Sequence, residues 1–207
     1  MTDILYIHGM GGGESSRIPS FLVSEGLDVV VRTYDFDPCV ASGQIASWIR
    51  ELQPRMLVGE SLGSIHTLAA RASLSPELPV VLVSPSLNAP LYFHYTAFLT
   101  FIPGMTALFD RIYRPKREGR QTLHFVWKPL RSWLPLRRIG LEPVKGSTFA
   151  FFGTHDHYRR SGIVRIGTYR RYFGDSYAVY DGTHFMEEEY LKSMLIPRIR
   201  EVLASAV

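Results

Sequence analysis

The chain has 207 residues, 46% of them hydrophobic and 20% charged, which suits a globular protein with one sizeable core and excludes a disordered one. The formal charge of +4 invites a nucleic-acid reading, but no recognised binding motif accompanies it. A single cysteine, Cys39, excludes an intramolecular disulfide and a cysteine-rich metal site.

In chain order, Ile4 to Ile7 reads as a buried strand, left by the glycine-rich turn His8 to Gly13. No basic and apolar leader precedes the strand, so the expected location is the cytoplasm. Ser15 to Glu25 is predicted helical, with Pro19 near its first turn and Gly26 at its end. Asp28 to Tyr34 is a valine-rich strand. Ala41 to Leu52 is helical, because Ile45, Trp48, Ile49 and Leu52 keep the i, i+3, i+4, i+7 spacing of one buried face. Arg55 to Val58 is a third strand, Ser61 to Ser73 a helix and Pro79 to Val83 a fourth strand. The alternation stops near Asn88 and resumes with a strand at Thr148 to Phe152, a short helix around Ile163 to Phe173 and a strand at Ser176 to Tyr180. A closing helix, Glu187 to Leu203, opens with three glutamates where the helix dipole favours anions. This order predicts an α/β fold, a mostly parallel sheet of about six strands with helices on both faces, in a single domain over 1–207.

Residues 88–146 form an insertion between the fourth and fifth strands, rich in aromatics and leucine. It holds ten Lys or Arg against three acids, a net +7 that leaves −3 for the rest of the chain. The stretch from Pro79 to Phe109 has no Lys, Arg, Asp or Glu, a length that raises a transmembrane reading. Pro85, Pro90, Pro103 and Gly104 break it, its start is a strand, and a span would put Ser61 and the C-terminal motifs on opposite sides of a bilayer. An amphipathic lid with no transmembrane span is the expectation. Its apolar half, with Leu91, Tyr92, Phe93, Phe98 and Phe101, either packs over a crevice or is exposed as a binding patch.

Gly59-Glu60-Ser61-Leu62-Gly63 stands between an apolar strand and a helix, the context of a nucleophile elbow. A serine hydroxyl is a weak nucleophile and needs a base, a group to orient the base and donors for an oxyanion. His184, just past the last strand, suits the base, and Asp156, just past the strand before, suits the orienting acid. Asp175 and Asp181 are nearby acids that leave an alternative open. The backbone N–H of Leu62 and one from the His8–Gly13 turn, at Met10, are the expected oxyanion donors. Gly9, Gly11, Glu60, Tyr92 and Phe93 are expected to line the substrate crevice. His155 and His157 flank Asp156 and are expected to point away from it, and His66 is read as packed or solvated. His94 and His124 show no partner spacing for a metal.

On these residues the chain resembles the α/β-hydrolase superfamily, with His8-Gly9 as the oxyanion-loop signature, Gly59 to Gly63 as the elbow and the family's chain order Ser, Asp, His. The likeness covers most of the chain outside 88–146, which sits where the family carries its lid. The chain begins at what would be the family's third strand, so the two leading antiparallel strands are expected to be absent. The resemblance implies a serine hydrolase that cleaves a carboxylic ester or thioester, without a cofactor or metal. Its substrate would be a small molecule, with an anionic end favoured by the basic insert. Two other readings compete. The run from Ile4 to Asp37 resembles a dinucleotide fold, but Glu14 stands where its third glycine is due, and a glutamate there would repel a pyrophosphate. A hydrolase-like scaffold serving as a catalytically silent binding protein is the other.

Overall fold

The computed structural model describes residues 2–115, 117–143 and 146–205. Lys116 and Lys145, two of the cations counted in the insert, lie outside the described residues. Six strands, β1 (Ile4–Ile7), β2 (Val29–Val31), β3 (Met56–Glu60), β4 (Val80–Val83), β5 (Thr148–Gly153) and β6 (Tyr177–Tyr180), form one sheet in the order β2-β1-β3-β4-β5-β6. Every neighbouring pair is parallel, so the sheet is wholly rather than mostly parallel. All strands therefore end at one edge. The order reverses between β1 and β3, which places a crevice at their carboxyl ends.

Both faces of the sheet are covered, which is why its central strands are apolar without interruption. Side chains alternate across the pleat. Leu5, Ile7, Leu57, Leu82 and Phe152 join one core with Ile45 and Ile49 of α2 (Pro38–Leu52), Ile65 and Leu68 of α3 (Gly63–Leu74) and Tyr169 of α8 (Ile166–Phe173). Ile4, Tyr6, Met56, Val58 and Phe151 join the other with Ile18 and Leu22 of α1 (Arg17–Ser24) and Ile196 and Ile199 of α10 (Ile196–Ser205). Helix α2 starts earlier than its apolar spacing implies. Asp37 caps it by accepting from the Cys39 N–H (2.9 Å), and Pro38 occupies the first turn, where no donor is needed.

The closing helix is not regular. A short α9 (Glu188–Tyr190) passes into a π-helical turn, Leu191–Leu195, before α10. Pro197 has no N–H for the carbonyl four residues before it, and the wider turn ahead of it absorbs that lost bond. Leu191, Leu195, Ile196 and Ile199 stay buried across the irregularity.

Between β4 and β5 the chain forms α4 (Ala89–Leu99), α5 (Met105–Ile112) and α6 (Trp127–Gly140). Helix α6 packs on α3 and α4 and buries Leu130 and Trp133. Helix α4 turns Phe93 inward, against Phe36, Phe125 and Trp133. Tyr95 (72% exposed), Phe101 (68%), Phe98 and Ile102 face outward. None of the helices among the described residues is long and apolar enough to cross a membrane.

Below the crevice a stack of rings is wholly buried. His8 lies parallel to Tyr34 (4.3 Å between centroids), Tyr34 meets the His66 ring edge-on (4.9 Å) and His66 meets Trp133 (4.8 Å). The Tyr34 hydroxyl donates to the His8 carbonyl (2.5 Å). Burial lowers His8 to a pKa of about 4 and His66 to about 3 from an ordinary 6.5. The unfolded chain therefore binds more protons than the folded one over this range. Their contribution to stability is complete above pH 6.5 and is lost as pH falls from 6.5 towards 4, at up to about 1.4 kcal/mol per pH unit for each ring. His66→Phe should reduce the fall in the urea midpoint between pH 6.5 and 4.5; an unchanged pH slope would mean that His66 does not titrate with unfolding.

Candidate active site

The site is built from the ends of five strands, β1, β3, β4, β5 and β6. Strand β3 delivers Ser61, which has a φ of +50°, a left-handed conformation unusual for a residue with a side chain. Its N–H donates to the Val83 carbonyl (2.9 Å), which fixes the turn to β4. The glycines on either side leave space that no side chain could share. A Cβ at Gly59 would strike Thr67 and come within 3.0 Å of Ser64 Cα, and one at Gly63 would strike the carbonyl oxygens of Ile7 and His8. The turn thus seats directly on the end of β1.

Strand β6 delivers His184 and β5 delivers Asp156, both nearly inaccessible to solvent. The Ser61 hydroxyl lies 2.8 Å from His184 Nε2, and His184 Nδ1 lies 2.7 Å from Asp156 Oδ2. With Nδ1–H donating to the carboxylate, Nε2 is left as an acceptor for the Ser61 O–H. The other carboxylate oxygen, Asp156 Oδ1, accepts from the Tyr158 N–H (2.8 Å), which fixes its rotamer. The imidazole is also held by the Tyr158 ring, edge-on at 4.7 Å. Its loop is braced at three points: Tyr180 Oη donates to the Thr183 carbonyl (2.6 Å), the Thr183 N–H donates to Glu187 (3.0 Å) and Arg17 donates to the Met186 carbonyl (2.7 Å).

The alternative acid, Asp181, is exposed and turned elsewhere. Its Oδ1 accepts from Thr154 Oγ1 (2.7 Å) and pairs with His155 Nε2 (3.0 Å). His155 thus points away from Asp156, as the alternation implies. His157 is exposed, with its ring tilted against Tyr158 (4.0 Å between centroids) and 5.8 Å from that of His184. His66 is wholly buried, one of the two options read from its position.

A cleft of about 210 Å³ opens over Ser61 and His184, with Gly9, Met10, Glu60 and Leu62 at its base and Phe93, Tyr158, Ile163 and Phe185 on its walls. Among the described residues, the Met10 and Leu62 N–H groups meet no protein acceptor. Glu60 borders the cleft while accepting from the buried Tyr6 hydroxyl (2.8 Å). Burial first, and then this carboxylate, push Tyr6 well above an ordinary tyrosine pKa. Of the residues expected to line the crevice, Gly9, Glu60 and Phe93 do so. Gly11 and Tyr92 do not: Gly11 faces a separate recess, and the Tyr92 hydroxyl donates to the Ser161 carbonyl.

One polar group escaped the sequence reading. Ser86, in the loop after β4, is buried with its hydroxyl 3.1 Å from Ser61 Oγ, and its N–H donates to the Ser61 carbonyl (3.1 Å). While Ser61 donates to His184, Ser86 is the donor to Ser61. The only local sign was the position of Ser84-Pro85-Ser86 at a strand end beside the elbow strand. Among the described residues no three His, Cys, Asp or Glu side chains are grouped to hold a metal ion.

The sequence matches no protein-family model and no curated protein. Solved structures share its fold. Monoacylglycerol lipase from Paleococcus ferrophilus is 17% identical, with a TM-score of 0.66 over 97% of this chain and 93% of that one. Est1E from Butyrivibrio proteoclasticus, with bound ferulic acid, is 13% identical, with a TM-score of 0.68 over 100% and 89%. An esterase from Exiguobacterium antarcticum is 14% identical, with a TM-score of 0.63 over 98% and 92%.

The two carboxylates should respond very differently to neutralisation. Asp156→Asn should lower kcat for a nitrophenyl ester by roughly 10⁴, the scale of losing the group that sets the histidine tautomer, and Asp181→Asn by less than about threefold. Steady-state kinetics of the two variants decides the assignment; a larger loss for Asp181→Asn would reverse it.

Proposed function

On the α/β-hydrolase fold that this chain has, we propose that it is a serine hydrolase cleaving a small-molecule carboxylic ester or thioester. The observation that carries this reading is the unbroken relay from Ser61 Oγ through the His184 ring to the buried Asp156 carboxylate. The known activities of the fold's other bearers, a lipase and esterases, agree with it.

The mechanism follows from the contacts. His184 Nε2 takes the Ser61 proton as Oγ bonds to the substrate carbonyl carbon. The oxyanion that forms is stabilised by the N–H groups of Met10 and Leu62, which keep their hydrogens free for it. Asp156 stabilises the imidazolium and keeps the correct tautomer. Collapse breaks the bond to the alcohol or thiol, which leaves with the proton from His184, and an acyl group remains on Ser61. A water, deprotonated by the same nitrogen, then releases the acid. The 210 Å³ cleft, with Ala89, Phe93 and Ile163 on its walls, suits an apolar or aromatic acyl group of medium length. In this reading α4 to α6 act as the lid, since α4 supplies Phe93 to the cleft, and the segment's positive charge favours a substrate with a negative end.

Ser61→Ala should remove ester hydrolysis by several orders of magnitude, roughly 10³ or more, while the urea midpoint stays within the range of an ordinary surface change. Turnover equal to that of the parent would end the serine mechanism, and absence of activity in the parent towards a chain-length series of nitrophenyl esters would favour a silent scaffold.

A further inference from the structure

A second recess, of about 270 Å³, lies beside the catalytic cleft. Arg114, Arg117 and Arg120 line it, with Gly11, Tyr113 and Gln121. Among the described residues none of the three guanidinium groups takes part in an ion pair or a side-chain hydrogen bond. Glu118, the one acid between Arg111 and Arg120, does not line the recess. Three like charges are thus gathered around one concavity with no carboxylate among its lining residues, which raises the local concentration of anions.

The recess is attached to the site rather than merely near it. The chain from Gly119 to Gln121 is tied to the loop after β1: the Gln121 N–H donates to the Gly12 carbonyl (2.7 Å), the Gly11 N–H donates to Gln121 Oε1 (3.1 Å) and Gly13 bridges to Arg120. Thr33 Oγ1 donates to the Gly119 carbonyl from the β2 side (2.8 Å). Gly9 and Met10 border the catalytic cleft, and the next residue, Gly11, borders the recess. The two linings therefore meet along the glycine loop, at consecutive residues whose Cα atoms are about 3.8 Å apart. They also approach at Tyr113 and Tyr158, one in each lining, which are close enough for charge on one to be felt at the other. Arg120 is likewise close enough to His8 to oppose its protonation.

We propose that this recess is the specificity subsite for a carboxylate or phosphate on the acyl part of the substrate, a few bonds from the scissile carbonyl. The inference rests on the hydrolase reading. With the carbonyl oxygen at the Met10 N–H, an anionic group at the end of a short acyl chain reaches past Gly11 to the arginines. Guanidinium forks bind such oxygens with two parallel N–H donors, which an ammonium cannot do. The recess thus selects acyl groups of a dicarboxylate or phosphate-bearing kind over apolar chains of equal length.

The test compares 4-nitrophenyl hemiglutarate with 4-nitrophenyl pentanoate, which match in length and differ in the terminal charge. At low salt the parent should favour the anionic ester in kcat/KM by on the order of tenfold. High salt should shrink the preference, because the Debye length contracts from about 30 Å at 0.01 M to about 3 Å at 1 M. Arg114→Gln with Arg120→Gln should bring the ratio to near one, mainly through KM for the anionic ester. Inorganic phosphate should inhibit hydrolysis of the anionic ester in the parent and lose that effect in the double variant. Equal kcat/KM for the two esters at low salt, or an anionic preference that survives the double variant, overturns the subsite. Failure of the hydrolase reading looks different: neither ester is turned over and an uncharged phosphonate does not label Ser61.

Discussion

The backbone of Gly63 lies so close to the carbonyl oxygens of Ile7 and His8 that a single methyl group there would collide with both. That contact brings the serine turn at the end of β3 down onto the loop leaving β1, and it sets the near side of the cleft, against which β5 and β6 place Asp156 and His184. Gly9 faces Ser61 with no side chain between them, and a Cβ there would come within 3.1 Å of Ser61 Cβ. This close approach puts Gly9 and Met10 beside Ser61 and Leu62 in the lining of one cleft. The positive φ at Ser61 costs on the order of 1 kcal/mol or more and is held by the Val83 and Ser86 contacts around it.

The support beneath this contact is aromatic and uncharged. The loop after β1 rests on the stack of His8, Tyr34, His66 and Trp133, which joins the end of β1 to α3 and α6. Helix α6 belongs to the chain between β4 and β5, so that segment is packed into the body of the fold as well as lining the cleft through Ala89 and Phe93. The ties from Gln121 and Arg120 to Gly11, Gly12 and Gly13 act from above on the same loop. A glycine-rich loop, which would otherwise lose much entropy on ordering, is thereby held from both sides.

The fold class was legible because its signals are local and periodic. The short apolar runs at Ile4, Val29, Met56, Val80, Thr148 and Tyr177 became strands, and their alternation with helices outside residues 88–146 implied a parallel sheet. The elbow was legible because the steric demand at Gly59 and Gly63 is written into adjacent residues. What the sequence concealed depends on contacts between distant segments. Ser86 is 25 residues from Ser61 and looks like any loop serine until β3 and β4 are side by side. His66 looked as much like a surface residue as a core one, because the rings that cover it, Tyr34 and Trp133, come from segments distant in the sequence. Gly11 was expected at the crevice from its neighbours, whereas a one-residue step along the glycine loop leads into a different space. Tyr92 was expected there with the insert's aromatics, of which Phe93 lines it. The π turn before Pro197 has no separate mark in the sequence, since Pro135 lies inside α6 without one, and the length of the apolar pattern hid it.

Two hydroxyls, those of Ser61 and Ser86, stand 3.1 Å apart over the same cleft, yet only one faces the histidine. Labelling with an uncharged fluorophosphonate, followed by tryptic mapping by mass spectrometry, tests the central claim most directly, because Arg71 separates the two serines into different peptides. The account predicts one adduct, on Ser61, formed by the native protein and lost after His184→Ala. An adduct on Ser86, or labelling that persists without His184, would contradict it.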